Sequence, residues 1–313
     1  MKRDFLHLAS IVRSVLVVLG GLLFSLHVHA KFIAVSVSAE DNFRNLITAS
    51  IEATVDRRGD EIYIDSASGD FDIQYKQVQR YVDVGADAII VLSAGNQEQN
   101  LKLLEFAKQV PMVFVNVEPL KDLNALPDNS VYVGSNEEQS GTMEMEELAR
   151  LAGYEGNVAL LIGEPNHPAA KVRTQDVKNV LAKYPNMNLV KSETANWQRN
   201  QAYKLVTEWV KEGVDFKVLV ANNDEMILGG IMALKDAGQN PKPYLTGGID
   251  ATADALLEMQ AGNLDVTVLQ DAESQGVSAV EAAYRLMNGT QREKTVWIPF
   301  RLVTPENYQQ FMK

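Results

Sequence analysis

The chain has 313 residues, no cysteine and a formal net charge of −12 at neutral pH. The lack of cysteine excludes a disulfide framework and a lipid-modified cysteine anchor. The acidic balance argues against nucleic acid or an anionic membrane as a partner, because like charges repel. A chain of this length is beyond the size at which single cores tend to split, so two domains are expected.

The first thirty residues have the pattern of a secretory signal peptide. Lys2, Arg3 and Arg13 precede an apolar core at 15–24, and the stretch ends at Ala30. The core is too short to span a membrane, so we predict a signal peptide over residues 1–30 with cleavage after Ala30; an uncleaved anchor is the alternative. The rest has 26 basic and 40 acidic residues, a net charge of −14, and is expected in a bacterial periplasm.

Short apolar runs then alternate with segments of helical periodicity, which predicts alternating strands and helices. The runs are rich in β-branched residues and lack polar alternation, as in parallel strands buried on both faces. The predicted strands are 32–35, 62–64, 88–92, 112–115, 131–133, 158–162, 189–190, 218–221, 244–245 and 266–269. The fold class is therefore α/β, with a parallel sheet covered by helices in each half.

A short internal repeat supports two similar halves. Residues 84–93, VGADAIIVLS, correspond to residues 212–221, EGVDFKVLVA. In each copy a glycine, Gly85 or Gly213, is expected to end a helix in the left-handed conformation before a buried strand.

Six loops that follow predicted strands carry polar residues, and both halves contribute. They are 40–43 (EDNF), Asn116, 166–167 (NH), 222–224 (NND), Asp250 and 270–271 (QD). Ligands of open parallel sheets bind outside the carboxyl ends of the strands, so these loops are the candidate binding site.

Several candidates also have a purely structural interpretation. Asp41 and Asn223 are good helix caps, His167 could be a surface loop residue, Arg173 could pair with a solvent-exposed carboxylate, and Trp197 could belong to the core.

The candidate side chains combine polar groups with the flat rings of Phe43 and Trp197, as binding of a sugar requires. A phosphate site is not indicated, because neither a GxGxxG nor a GxxxxGK[ST] motif is present. Enzyme signatures such as GxSxG, HExxH or a cysteine nucleophile are also absent from the sequence. Acid–base catalysis by His167 with Asp41 or Asp250 is an alternative.

Five motifs, in order, resemble the type I periplasmic sugar-binding protein family, which includes glucose/galactose- and ribose-binding members. They are 163–173 (GEPNHPAAKVR), 194–197 (TANW), 220–226 (VANNDEM), 248–251 (GIDA) and 267–272 (TVLQDA), and weaker similarity extends from about residue 32 to 311. The resemblance implies two doubly wound lobes joined by three hinge crossovers. The implied lobes are 31–133 with 271–298, and 134–270 with 299–313.

The resemblance also implies a set of binding residues. Hydrogen bonds to ligand hydroxyls would come from Asp41, Asn116, His167, Arg173, Asn223 and Asp250, while Phe43 and Trp197 would sandwich the ring. Gln270 stands where the glucose/galactose-binding members have asparagine, and its greater length favours a smaller or differently substituted ring.

Three further departures concern ligand and metal. Ala169 replaces a carboxylate of the family and Val117 replaces a lysine, so glucose itself is not the expected ligand. Residues 149–157 lack the alternating oxygen ligands of the family's calcium loop, and we predict no bound metal and no cofactor.

The expected function is capture of a monosaccharide or related cyclic polyol by lobe closure. A monomer would deliver the ligand to an inner-membrane ABC-type sugar importer, and the protein is not expected to be an enzyme. The alternatives are a sensory protein that presents its closed form to a chemoreceptor or sensor kinase, and a carbohydrate-acting enzyme. A repressor with the same lobes is disfavoured, because the signal peptide occupies the place of a DNA-binding helix-turn-helix.

Overall fold

The computed structural model describes residues 30–312. The predicted signal peptide lies outside this range except for Ala30. Within the range, no helix is both long enough and apolar enough to cross a membrane.

The first sheet has six parallel strands in the order β11-β5-β4-β3-β1-β2. These strands are β1 (Phe32–Val37), β2 (Glu61–Ser66), β3 (Ala88–Leu92), β4 (Met112–Val115), β5 (Ser130–Gly134) and β11 (Thr295–Trp297). The sheet is covered by α1 (Asn42–Asp56), α2 (Phe71–Asp83), α3 (Gln97–Leu104) and α9 (Ala272–Met287).

The second sheet has four parallel strands in the order β7-β6-β8-β9. They are β6 (Gly156–Ile162), β7 (Met187–Thr194), β8 (Val218–Ala221) and β9 (Leu245–Gly247). An antiparallel pair, β10 (Thr267–Leu269) and β12 (Arg301–Val303), lies beside β9. The covering helices are α4 (Ser140–Leu151), α5 (Pro168–Leu181), α6 (Arg199–Lys211), α7 (Asp224–Asp236) and α8 (Ala253–Gln260).

Both sheets bury apolar side chains on both faces, which confirms the α/β prediction. Ile33 and Val35 pack against α1 and α9, whereas Ala34 faces the helices on the opposite side. In the second sheet, Leu161 packs with α6 and α7, and Leu160 packs with α4 and α5. Successive strand residues point to opposite faces, so a continuous apolar run is what a doubly covered strand requires.

Two details differ from the sequence prediction. The edge strands β2 and β7 are not buried on both faces: their exposure alternates, and Tyr63 is 48% exposed. The strands β11 (TVW) and β12 (RLV) were not predicted, because neither forms the continuous apolar run that marked the other strands. Gly85 and Gly213 have φ values of +81° and +72°, as predicted for glycines that end helices.

The chain passes between the two sheets three times, after β5, between β10 and α9, and between β11 and β12. We propose that the boundaries between the two lobes lie at residues 133/134, 270/271 and 298/299 and that the lobes move relative to each other there. The three passages lie at the carboxyl ends of the parallel strands of both sheets.

Candidate functional site

A cavity of about 120 Å³ lies where the carboxyl ends of the two sheets meet, and all nine predicted site residues line it. Asp41 and Phe43 lie at the N-terminus of α1, which follows β1, and Asn116 follows β4 of the same first sheet. His167, Arg173, Trp197, Asn223, Asp250 and Gln270 follow β6, β7, β8, β9 and β10. A closed cavity of roughly 150 Å³ accepts benzene, so the space suits one six-membered ring.

Asp41 and Asn223 are helix caps as well as cavity residues. The Asp41 Oδ1 accepts a hydrogen bond from the backbone N–H of Arg44 at 2.7 Å, and Asn223 Oδ1 accepts one from Met226 at 3.1 Å. Each cap satisfies a free N–H of the first helical turn. The capping roles of Asp41 and Asn223 are therefore confirmed, and the capping hydrogen bonds fix both side chains at the cavity wall.

His167 begins α5, with Pro168 at the first helical position. Its Nδ1 accepts the backbone N–H of Ala169 at 3.2 Å. Burial, with the positive charges of Arg44 and Arg173, lowers the pKa of His167 to about 3. The imidazole is therefore neutral near pH 7, and because Nδ1 is an acceptor, Nε2 carries the proton. His167 thus offers an N–H donor.

Trp197 forms an aromatic wall on the side of the second sheet. Its ring contacts His167 edge-to-face with centroids 5.4 Å apart, and the Arg173 guanidinium lies 5.9 Å from its centroid. A Cβ at Gly163 would lie 2.3 Å from the indole, so glycine is required there for the ring to reach its position. Phe43 lines the cavity from the first sheet, and the ring sandwich stays a prediction.

Arg173 is 3% exposed, and most of its donors are used by the protein. Nε and Nη2 donate to the Glu137 carboxylate, both at 3.0 Å. Nη1 donates to the Asn222 carbonyl at 2.8 Å, and Nη2 donates to Gln270 Oε1 at 3.1 Å. Four of the five guanidinium N–H groups are engaged, so about one is left for a ligand.

Three cavity residues have backbone conformations that non-glycine residues seldom adopt. Asn116, Trp197 and Asp250 have φ values of +70°, +64° and +131°. Such strain costs on the order of 1–3 kcal/mol per residue and is concentrated at functional sites. In each case the strained backbone places a side chain at the cavity.

The cavity also includes Asn42, from the predicted loop 40–43, and polar residues that were not predicted. The latter are Arg44, Glu118, Glu137, Glu225 and Thr252. Glu137 follows β5 in the same way that Asn116 follows β4, so the rule of polar residues after strands could have found it. Asn42 Nδ2 donates to Glu225 Oε1 at 2.9 Å, which joins α1 of the first sheet to α7 of the second.

The departures from the family pattern at Val117 and Ala169 both line the cavity. Gln270 is 4% exposed, and it braces Arg173 and Glu137 as well as lining the cavity. Within residues 30–312, no three His, Asp or Glu side chains come close enough together to hold a metal ion, and the lack of a metal stays a prediction.

Two doubly covered sheets, three chain passages between them and a cavity lined by residues of both define a two-lobed α/β ligand-binding protein. Residues 33–291 match the family described as the periplasmic binding protein domain. The chain therefore belongs to the periplasmic binding protein family.

Individual relatives agree with this assignment. A Rhizobium meliloti protein assigned a rhizopine-binding role is 38% identical over 93% of this chain and 96% of its own length. The D-galactose/methyl-galactoside binding periplasmic protein of Haemophilus influenzae is 27% identical over 88% of this chain and 89% of its own. The ABC transporter solute-binding protein of Bacillus halodurans, solved with myo-inositol, has a TM-score of 0.83 and 33% identity over 90% of this chain and 96% of its own.

Proposed function

We propose that this protein is a periplasmic solute-binding protein that captures a cyclic polyol or monosaccharide and delivers it to an ABC-type importer. The observation that carries the proposal is that nine candidate side chains, from loops and helix N-termini at the carboxyl ends of both sheets, line a ring-sized cavity. The relatives support the ligand class, because they include a galactoside-binding protein and a protein solved with myo-inositol.

The cavity offers both kinds of contact that a polyol ring needs. Asp41 and Asp250 supply acceptors, the neutral His167 supplies a donor, and charged partners strengthen hydrogen bonds to hydroxyls. Trp197 and Phe43 offer aromatic faces to the C–H groups of the ring. The predicted roles of these residues are part of the proposal.

The proposed motion is closure of the two lobes around the ligand, and no chemical reaction of the ligand follows. The hydrogen bond between Asn42 and Glu225 joins α1 to α7 across the cleft, and in the proposal it breaks when the cleft opens. The protein then transfers the unchanged ligand to an inner-membrane permease. We propose a monomer in the periplasm, and the same closed form would serve a chemoreceptor.

A thermal-shift screen of residues 31–313 against pentoses, hexoses, deoxysugars and inositols tests the proposal. A ligand at 100 times its Kd adds about 2.7 kcal/mol to the stability and raises the melting temperature. His167→Ala should weaken calorimetric binding of the best ligand, whereas Glu164→Ala, in the same loop but exposed and outside the cavity, should not. NMR spectra of the ligand after incubation with the protein should show that it is chemically unchanged. Stabilisation by peptides or anions alone would refute the ligand class, and turnover would refute a pure binding role.

A further inference from the structure

The turn that carries Asn116 is strained. Asn116 is a candidate ligand-binding residue directly after β4, and its φ is +70°. The backbone N–H of Val117 donates to the Val115 carbonyl at 2.9 Å, so Asn116 is the central residue of a three-residue γ-turn. A γ-turn with a positive φ at its centre is rare, and such strain persists where the surroundings hold it in place.

The end of β5 supplies two of the groups that hold this turn. The backbone N–H of Asn116 donates to the Val133 carbonyl at 2.9 Å, and the Tyr132 hydroxyl donates to the Asn116 carbonyl at 3.0 Å. The side-chain Nδ2 of Asn116 donates to Gln275 Oε1 of α9 at 3.3 Å. Hydrogen bonds with residues outside the cavity lining therefore fix a residue that lines it.

Tyr132 is fully buried, and its hydroxyl lies beside the first passage of the chain between the sheets. The hydroxyl oxygen is 3.4 Å from the carbonyl oxygen of Ser135, which follows the proposed boundary at 133/134. A Cβ at Gly134 would overlap the hydroxyl oxygen, so glycine is required there. Trp297 of β11 packs edge-to-face on the Tyr132 ring, with centroids 5.8 Å apart, and fixes the ring from the other side of the strand pair.

The Tyr132 hydroxyl lies between two backbone carbonyls. Burial, with the negative charges of Glu118 and Glu137, raises the pKa of Tyr132, so the hydroxyl keeps its proton near pH 7. A hydroxyl has one O–H donor, and the shorter distance assigns it to the Asn116 carbonyl. Asn116 and Tyr132 belong to one proposed lobe, and Ser135 belongs to the other. The hydroxyl thus lies where the turn meets the first crossing between the lobes.

We propose that Tyr132 is a positioning residue for ligand binding, whose hydroxyl holds the strained turn so that the Asn116 side chain stays at the cavity. This inference rests on the proposed function, because it takes Asn116 as a ligand-binding residue. Without the hydroxyl, the turn can relax towards the negative φ that residues other than glycine favour. The free energy needed to restore the alignment would then be subtracted from the free energy of binding.

The test removes the hydroxyl and keeps the ring. In calorimetry on residues 31–313 the probe is myo-inositol, or the screened sugar or inositol that binds the wild type most tightly. Tyr132→Phe should bind it about three- to tenfold more weakly, as expected for the loss of one neutral hydrogen bond. In NMR of the ligand-free protein, the carbonyl carbon signal of Asn116 should move, because its hydrogen-bond donor is gone.

Tyr81→Phe is the matched control. Tyr81 is buried in the same apolar cluster of the first sheet as Tyr132. Its hydroxyl is hydrogen-bonded to the Val35 carbonyl at 3.1 Å and to Asp65 at 2.6 Å, and these residues are outside the cavity lining. Tyr81→Phe should lose at least as much stability in urea unfolding as Tyr132→Phe, because its bond to a carboxylate is the stronger kind. Its affinity for the probe should stay within about twofold of the wild type.

A double-mutant cycle shows whether Tyr132 acts through Asn116. Asn116→Gly removes the side chain, and glycine adopts the positive φ without strain. In the Asn116→Gly background, Tyr132→Phe should change the affinity by less than about twofold, because the contact that it aligns is already gone.

The outcomes separate this inference from the proposed function. If the wild type binds the probe and Tyr132→Phe binds it equally well, the positioning role is overturned and the proposed function stands. The same holds if the loss is equal with and without the Asn116 side chain, or if Tyr81→Phe loses as much affinity. If no screened sugar or polyol binds the wild type, the proposed function fails and this inference fails with it.

Discussion

The ion pair between Arg173 and Glu137 gives a prediction about stability that is independent of the ligand. The side chains are 4% and 14% exposed. Arg173→Met would leave Glu137 buried without its cation and would remove the donors to Asn222 and Gln270. Loss of one partner of a buried pair costs about 3–5 kcal/mol, a large part of the roughly 5–15 kcal/mol that stabilises a folded protein.

A double-mutant cycle separates the energy of the Arg173–Glu137 ion pair from the energies of the other contacts of the two residues. In Arg173→Met/Glu137→Gln the uncompensated charge is gone, so we expect a loss of about 1–3 kcal/mol, and a coupling energy of at least about 1 kcal/mol. Urea unfolding followed by circular dichroism, without ligand, measures all four proteins. Arg150→Met is the matched control, because the arginine of its two-armed pair with Glu147 is 56% exposed and solvent screens the attraction, so its loss should cost much less than that of Arg173. An Arg173→Met protein as stable as the Arg150→Met protein, or strictly additive losses, would contradict the reasoning.

Three further predictions concern the cavity. Trp197→Ala removes the aromatic wall and should weaken ligand binding by roughly tenfold or more in calorimetry with little loss of secondary structure; unchanged affinity would exclude the stacking role. In residues 31–313 His167 is the sole histidine, so NMR should show one imidazole, protonated on Nε2, that does not titrate between pH 5 and 8. Since its folded pKa of about 3 lies below the unfolded value of about 6.5, wild-type stability should fall as the pH drops below about 6.5, and His167→Gln should lose this part of the fall; identical pH profiles would argue against a buried neutral ring. Asn42→Ala removes the hydrogen bond to Glu225 across the cleft and should open the ligand-free protein in small-angle X-ray scattering, with less than about a fivefold loss of affinity; an unchanged scattering profile would exclude a latch.

Sequence pattern predicted the sheets well, because the interior strands are buried on both faces and leave continuous apolar runs. Residues 88–92 and 218–221 were predicted with their observed bounds. The edges were harder to predict. β2 and β7 alternate in exposure, and β11 is only three residues long. Each of these strands is stabilised by pairing with its neighbour, so its own composition gives only a weak signal.

The candidate site could be predicted in position but not in its internal bonding. Polar residues after strand ends located most of the cavity, and Arg173 and Trp197 were candidates outside those loops whose binding roles the family resemblance implied. Glu137 and Gln270 show what was missing. Glu137 lies 36 positions from Arg173 in the sequence and Gln270 lies 97 positions from it, and both are hydrogen-bonded to Arg173. A local sequence pattern cannot reveal contacts at such separations. The share of Arg173 that is left for a ligand follows only from the three-dimensional structure.

Helix capping and ligand binding are not competing interpretations of Asp41. A cap fixes the carboxylate through Oδ1, and the second oxygen receives Arg44 at 2.7 Å. A carboxylate has about four acceptor sites, so two are left for hydroxyl groups in the cavity. Because the orientation is already set in the absence of ligand, little side-chain entropy is lost on binding. The same argument applies to the amide of Asn223 and to His167, whose bond from Ala169 fixes both the ring and its tautomer. Capping of the helices that begin at the sheet edge therefore preorganises the cavity, and substitution of a cap should lower both helix stability and ligand affinity.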